Sequence, residues 1–159
     1  PSDVLNWLSL IYLVGLFGVW LSGQSSDRTG ERKWHCVAGQ IGTAIFLGLS
    51  LIPGQPWSMV LLWLCLTGFF MFAWPSPFWV LPTQTLSAGA AAVSIGLINM
   101  SANLAGAIGN PVVGEMKSAG FTMRACLLVP VGCFMFGGVI VALIRQKRGE
   151  RHEISATNG

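Results

Sequence analysis

Three amides, Asn99, Asn103 and Asn110, stand inside a stretch otherwise made of small and apolar residues. With Gly106 they fall at i, i+4, i+7 and i+11, one face of a helix. A buried amide is costly unless it finds a partner. Two kinds of partner are open here: a polar pathway through a helix bundle, or side chains on a neighbouring helix. A second polar cluster is the segment Gly23-Gln24-Ser25-Ser26-Asp27-Arg28-Thr29-Gly30-Glu31-Arg32-Lys33-Trp34-His35. Asp27, close to a helix end, is suited to the partial positive charge of a helix N-terminus. Gly30 permits a left-handed turn, and Arg28, Arg32 and Lys33 make the segment basic. It can equally be a plain charged connector.

Other chemistry finds no support. There is no HExxH and no GxSxG, and the two histidines, His35 and His152, lie outside the apolar runs. Cys36, Cys65, Cys126 and Cys133 show no CxxC spacing, so thiols that pack or face lipid are expected rather than a disulfide or metal framework. No catalytic residue, metal site, cofactor or nucleic-acid partner is expected. Asn99-Met100-Ser101 matches a glycosylation sequon, but mid-membrane placement makes it inert.

The elements that must hold these residues follow from composition. Hydrophobic residues make up 53% of the chain and charged residues 9%, against roughly a quarter charged in soluble domains. So few charges cannot solvate a soluble surface of this size, whereas a bilayer protein turns most of its surface to lipid tails. About 20 apolar residues cross the hydrocarbon core as a helix. Charge-free runs of about that length are Val4–Ser22, Cys36–Ile52, Ser58–Val80, Ala88–Val113 and Ala125–Ile144. They predict an all-α integral membrane protein of about five transmembrane helices. Residues 1–145 form its helical region and 146–159 a polar tail.

Basic residues set the expected orientation. Arg28, Arg32 and Lys33 follow the first run, and Arg145, Lys147, Arg148 and Arg151 follow the fifth. Lys117 and Arg124 alone fall on the other side. The first loop and the tail are therefore expected in the cytoplasm. Pro53-Gly54-Gln55-Pro56 reads as a tight outer turn. Pro75, Pro77 and Pro82 crowd the third run, so Ala73–Thr83 is expected to be kinked or partly unwound. Gly39 and Gly42 on the second run, and Ala88, Ala92 and Gly96 on the fourth, have the spacing that lets helix backbones approach closely.

Three stretches together carry a resemblance: the basic loop, Pro77-Phe78-Trp79-Val80-Leu81-Pro82-Thr83, and Ile98-Asn99 through Asn103-Leu104. In this order and spacing the chain resembles the major facilitator superfamily, in its anion:cation symporter branch of organic-anion permeases. The likeness covers the chain up to the tail and corresponds to the last five spans of the twelve-span fold, which is built as two six-helix halves. One departure is Asn110 before Pro111, where a small residue is more usual.

The resemblance implies a secondary transporter segment in a bacterial inner membrane. It would move a sugar acid or aromatic carboxylate by symport with protons or sodium, together with the missing N-terminal half. It implies that Ser76, Asn99 and Asn103 bind substrate, and that Gly23, Asp27, Arg28, Gly30, Arg32 and Lys33 form a gating loop. The other reading is a truncated, non-transporting membrane protein or remnant that needs the missing N-terminal helices.

Overall fold

A computed structural model describes residues 2–144, the side chains of Ser2 and Thr85 aside. The polar tail, with Arg145, Lys147, Arg148 and Arg151, lies outside the described residues. These fold into α1 (Ser2–Thr29), α2 (Arg32–Ser50), α3 (Trp57–Ala73), α4 (Pro75–Thr85), α5 (Ala88–Ser118) and α6 (Met123–Leu143), with no strand among them.

Each connection has a local cause. α1 stops at Gly30, whose φ of 69° is the left-handed geometry that glycine adopts freely. Its N–H donates to the Ser26 carbonyl at 3.0 Å. In the α2–α3 turn, Gln55 donates from Nε2 to the Leu49 and Ile52 carbonyls at 2.8 and 3.1 Å. Both carbonyls lie at the C-terminal end of α2, where helical donors run out, and that of Leu49 also accepts from the Ile52 N–H at 3.3 Å. Trp63 Nε1 donates back to Gln55 Oε1 at 2.8 Å, tying the turn to α3. α5 ends on Gly120, at φ 89°, and Thr122 caps α6 by accepting from the Ala125 N–H at 3.3 Å.

The third run is interrupted at Trp74 but not unwound, since Trp74 keeps helical dihedrals (φ -73°, ψ -30°). Pro75 and Pro77 have no N–H to donate to the preceding turn, and the helix breaks at Trp74. It then resumes as α4, with the Phe78 N–H donating to the Trp74 carbonyl at 3.3 Å.

Among the described residues, four helices are long and apolar enough to cross a membrane: Asp3–Thr29, the joined Trp57–Gln84, Ala88–Ser118 and Met123–Leu143. The remaining helix, α2, is less apolar because it is the most enclosed. It buries Gln40 and Thr43 beside Cys36, Gly39, Gly42 and Ala44, and Thr43 donates to the Gly39 carbonyl at 2.7 Å. A helix shielded by others can carry polar and small residues that a lipid-facing helix cannot.

Glycines set the close approaches. A methyl placed on Gly18 would run into the Phe69 carbonyl, and one on Gly15 into the Phe72 ring. At Gly39 it would lie 2.5 Å from Trp74 Cβ, and at Gly42 2.5 Å from the Phe70 ring. α3 thus lies between α1 and α2, and α6 packs on the far side of α2 through Gly137 and Gly138. The packing role expected for Gly39 and Gly42 is therefore met within the chain. Gly89, Gly96, Gly106, Gly109 and Gly114 meet nothing within 4 Å, so the glycines of α5 have no such partner among the described residues, although Ala91 is buried.

The orientation has a direct check. Reporter fusions placed after Lys33 are expected to read cytoplasm, and those after Gly54 the outer side. Both on one face would remove α2 as a span.

Candidate functional site

The basic loop is an ordered joint between four helices. Gly23 lies under α4: a methyl there would stand 3.2 Å from Ser76 Oγ. Ser26 is fully buried and donates to the Gly23 carbonyl at 3.1 Å. Ser25 Oγ and His35 Nε2 are 2.9 Å apart, and His35 Nδ1 contacts the Glu31 carbonyl, so the imidazole bridges α1 and α2. Asp27 accepts from Arg32 Nη2 at 2.8 Å. Arg32 is the first residue of α2, so the carboxylate reaches that helix end through a guanidinium. Lys33 Nζ donates to the Ile144 carbonyl at 2.6 Å. That carbonyl is at the C-cap of α6, where a cation is favoured by the helix dipole. Arg28 is exposed.

These contacts assign distinct roles within the motif. Arg32 is mostly shielded, at 13% side-chain exposure, while Asp27 is 67% exposed. With its carboxylate exposed, the pair adds little to stability. In a full-length transporter carrying this segment, Asp27→Asn and Arg32→Ala are each expected to slow transport. Their combined effect should be less than additive because the two share one ion pair. Arg28→Ala should add independently to either. Transport rates normalised to membrane abundance check this; additive effects of Asp27→Asn and Arg32→Ala would show that the two do not act through one pair.

The predicted substrate residues occupy two different settings. Ser76, half-buried near the start of α4, lies against Gly23. Asn99 and Asn103 are exposed on α5, where Asn103 Nδ2 donates to the Asn99 carbonyl at 2.9 Å and approaches its Oδ1 at 3.4 Å. Each amide is thereby partly satisfied within its own helix, and Asn99 retains acceptor and donor capacity for another group. The small residues and the amides also share a face. Ala88, Ala92, Gly96, Asn99, Asn103, Gly106 and Asn110 are spaced by three or four throughout. That face is small at one end and amide-lined at the other.

Sequence reasoning missed Gln40. It is buried at 8% exposure beside Gly137, and its Oε1 has no hydrogen-bond partner among the described residues. Its position three residues before Thr43, inside a glycine-bearing run, was the available signal. The cysteines are free, with Cys36 and Cys126 buried and Cys133 exposed.

Comparison with known proteins supplies relatives. The chain is 31% identical over 138 residues to the inner membrane transport protein RhmT of Escherichia coli, covering 86% of this chain and 32% of RhmT. It is 31% identical over 159 residues to a quinolone resistance transporter of Acinetobacter baumannii, covering 99% of this chain and 36% of that protein. An Agrobacterium vitis protein named for tartrate transport is 27% identical over 158 residues, which cover 97% of this chain and 34% of the relative. The chain thus spans about a third of the length of the curated relatives it matches. No family model matches it, and no solved structure matches it.

Proposed function

Because this chain belongs to the major facilitator superfamily, as a C-terminal part of the transporter fold, we propose that it forms one wall of the pathway of an organic-anion symporter. Its relatives are membrane transporters rather than enzymes, and its apolar helices make it a multi-pass membrane protein. The substrate class in this reading is a hydroxylated or aromatic carboxylate carried with protons or sodium. The assembly sits in a bacterial inner membrane with the C-terminus in the cytoplasm.

The observation that carries the reading is the Asn99–Asn103 pair on an exposed face of a membrane helix. Exposed amides on such a helix are stable facing a watery cavity and unstable facing lipid. Neutral amides and the Ser76 hydroxyl suit the hydroxyls and carboxylate of a sugar acid. No acidic residue falls within the apolar runs, since Asp3 and Glu115 flank them. Coupling to a cation is therefore assigned to the rest of the transporter. One relative named for tartrate transport agrees with a hydroxylated dicarboxylate.

The second reading, a non-transporting piece, is favoured by the sparse packing of α5 among the described residues. Rocking of one bundle against another is what alternates access, so residues 1–159 act only within a larger assembly. The test is a ligand panel on a purified full-length transporter carrying this segment. Hydroxylated carboxylates are expected to raise its melting temperature, and the matching uncharged polyols are not. Stabilisation by neither class would refute the substrate assignment.

A further inference from the structure

We infer that the groove between α2 and α6, at the end of the bundle away from the basic loop, is a site for one anionic phospholipid. Its phosphate lies on Arg124 and an acyl chain runs along Leu51, Ile52 and Leu128. This needs only the chain's place in a membrane and not the substrate assigned above.

The groove follows from how the two helices pair. α2 and α6 run antiparallel and are tightest at Gly137 and Gly138, where added methyls would fall 2.7 Å from Gln40 Oε1 and 2.6 Å from Ile41 Cδ1. Two turns further along α2, a methyl on Gly48 would only touch Val131, at 3.9 Å, and one on Gly132 would meet nothing within 4 Å. Beyond that point a cavity of about 360 Å³ opens between the C-terminal end of α2 and the first turns of α6. Gly48, Leu51 and Ile52 form one wall and Ala125 and Leu128 the other, with Thr122 and Arg124 at the mouth. From Arg124 to Val131 is about 10 Å along α6, about a third of the hydrocarbon thickness. Ile52 and Leu128 are exposed, so in a bilayer the groove opens to lipid.

An apolar groove alone would take any acyl chain, and Arg124 supplies the selectivity. It is exposed and has no ion pair or hydrogen bond among the described residues. It is also a poorly placed cation. It stands in the first turn of α6, where the partial positive charge of the helix end opposes it. By the expected orientation it lies on the side of the membrane where Lys and Arg are sparse. Glu115, the acidic residue closest to it in sequence, has its carboxylate beside the Ser118 hydroxyl, at 3.5 Å.

An anion at Arg124 removes both penalties, because it neutralises the guanidinium and is itself favoured by that helix end. Thr122 accepts from the Ala125 N–H at 3.3 Å, which leaves its O–H to donate to a phosphate oxygen. A guanidinium and a hydroxyl above an apolar groove match a phosphate ester joined to an acyl chain. A soluble anion would use the first two and leave the groove empty. A zwitterionic headgroup would bring its own cation against Arg124, so the favoured lipid carries net negative charge.

The test reads lipid at the groove in a full-length transporter carrying residues 1–159, in a background free of other accessible cysteines. Gly132→Cys carries a bimane one turn beyond Leu128, where added atoms meet open space. The protein is placed in phosphatidylcholine vesicles with a trace of acyl-chain nitroxide lipid, either phosphatidylglycerol or phosphatidylcholine with the same chains. Phosphatidylglycerol is expected to quench about fivefold more effectively, the preference that one interfacial cation gives an anionic lipid. Arg124→Gln should bring the ratio to one, and Arg124→Lys should keep most of it. Arg28→Gln, on the basic loop at the opposite end, should leave it unchanged. Equal quenching by the two lipids with Arg124 intact overturns the site, and that result needs no variant to fold. A preference that survives Arg124→Gln overturns the assignment of the phosphate to this residue. Loss of the preference on adding water-soluble glycerol phosphate identifies a free anion as the occupant and overturns the lipid.

Discussion

Gly39→Leu is expected to abolish most of the folded protein, while Gly106→Leu leaves it close to wild type. The difference lies in what each new side chain meets. At Gly39 even a methyl falls 2.5 Å from Trp74 Cβ and 3.0 Å from Trp74 Cα and N, so backbone as well as side chain obstructs it. Trp74 is where α3 breaks into α4, and it is held by Phe78, whose N–H it accepts and whose ring packs edge-on at 5.3 Å. Its carbonyl also receives the Cys36 thiol at 3.7 Å. A neighbour fixed on three sides cannot retreat. Overpacking of a tight contact costs about 1–3 kcal/mol for small additions, and leucine is a large one. Gly106 has open space around it. Melting in detergent with size-exclusion profiles reads the outcome. Equal melting temperatures for the two variants would mean that α2 and the α3–α4 break do not pack as described.

Asn99→Ala is expected to weaken substrate binding by about 1–3 kcal/mol, roughly five- to 150-fold, the range for a hydrogen-bonded group that loses its mate. The variant should insert and fold, because the Asn103 amide still donates to the backbone carbonyl of residue 99. Asn103→Ala should act more mildly, since much of that amide is spent within the helix. Titration of a purified full-length transporter by isothermal calorimetry reads the affinity. An unchanged affinity together with a lowered melting temperature without ligand would show that the amide face joins helices instead.

Much of the bundle could be read in the sequence, because bilayer thickness and charge placement dictate apolar runs directly. The runs at Val4–Ser22 and Ala88–Val113 lie within α1 and α5, Ala125–Ile144 reaches the C-cap of α6, and Ser58–Val80 covers α3 and the first half of α4. Their ends were less legible. α1 continues to Thr29 and α5 to Ser118, past the first charges, because a helix need not stop where the hydrocarbon does. Pro75 and Pro77 announced the break at Trp74, but α4 resumes as a helix because Pro75 occupies its first position, where no N–H is needed.

Contacts between distant segments were not legible. Nothing local to Lys33 indicates Ile144, 111 residues away, and nothing local to Gly39 indicates Trp74. The amides of α5 were legible as a helix face, since that needs only spacing. What the face meets is not set by spacing, and among the described residues a methyl at Gly96 or Gly106 meets nothing within 4 Å.

Uptake of a labelled hydroxylated carboxylate into proteoliposomes tests the central claim most directly. The full-length transporter carrying residues 1–159 is predicted to accumulate the anion against its gradient when an inward proton or sodium gradient is imposed. Accumulation should collapse when that gradient is dissipated and fall sharply in Asn99→Ala. Anion uptake that is no faster than in protein-free liposomes, with folded protein present, would contradict the account.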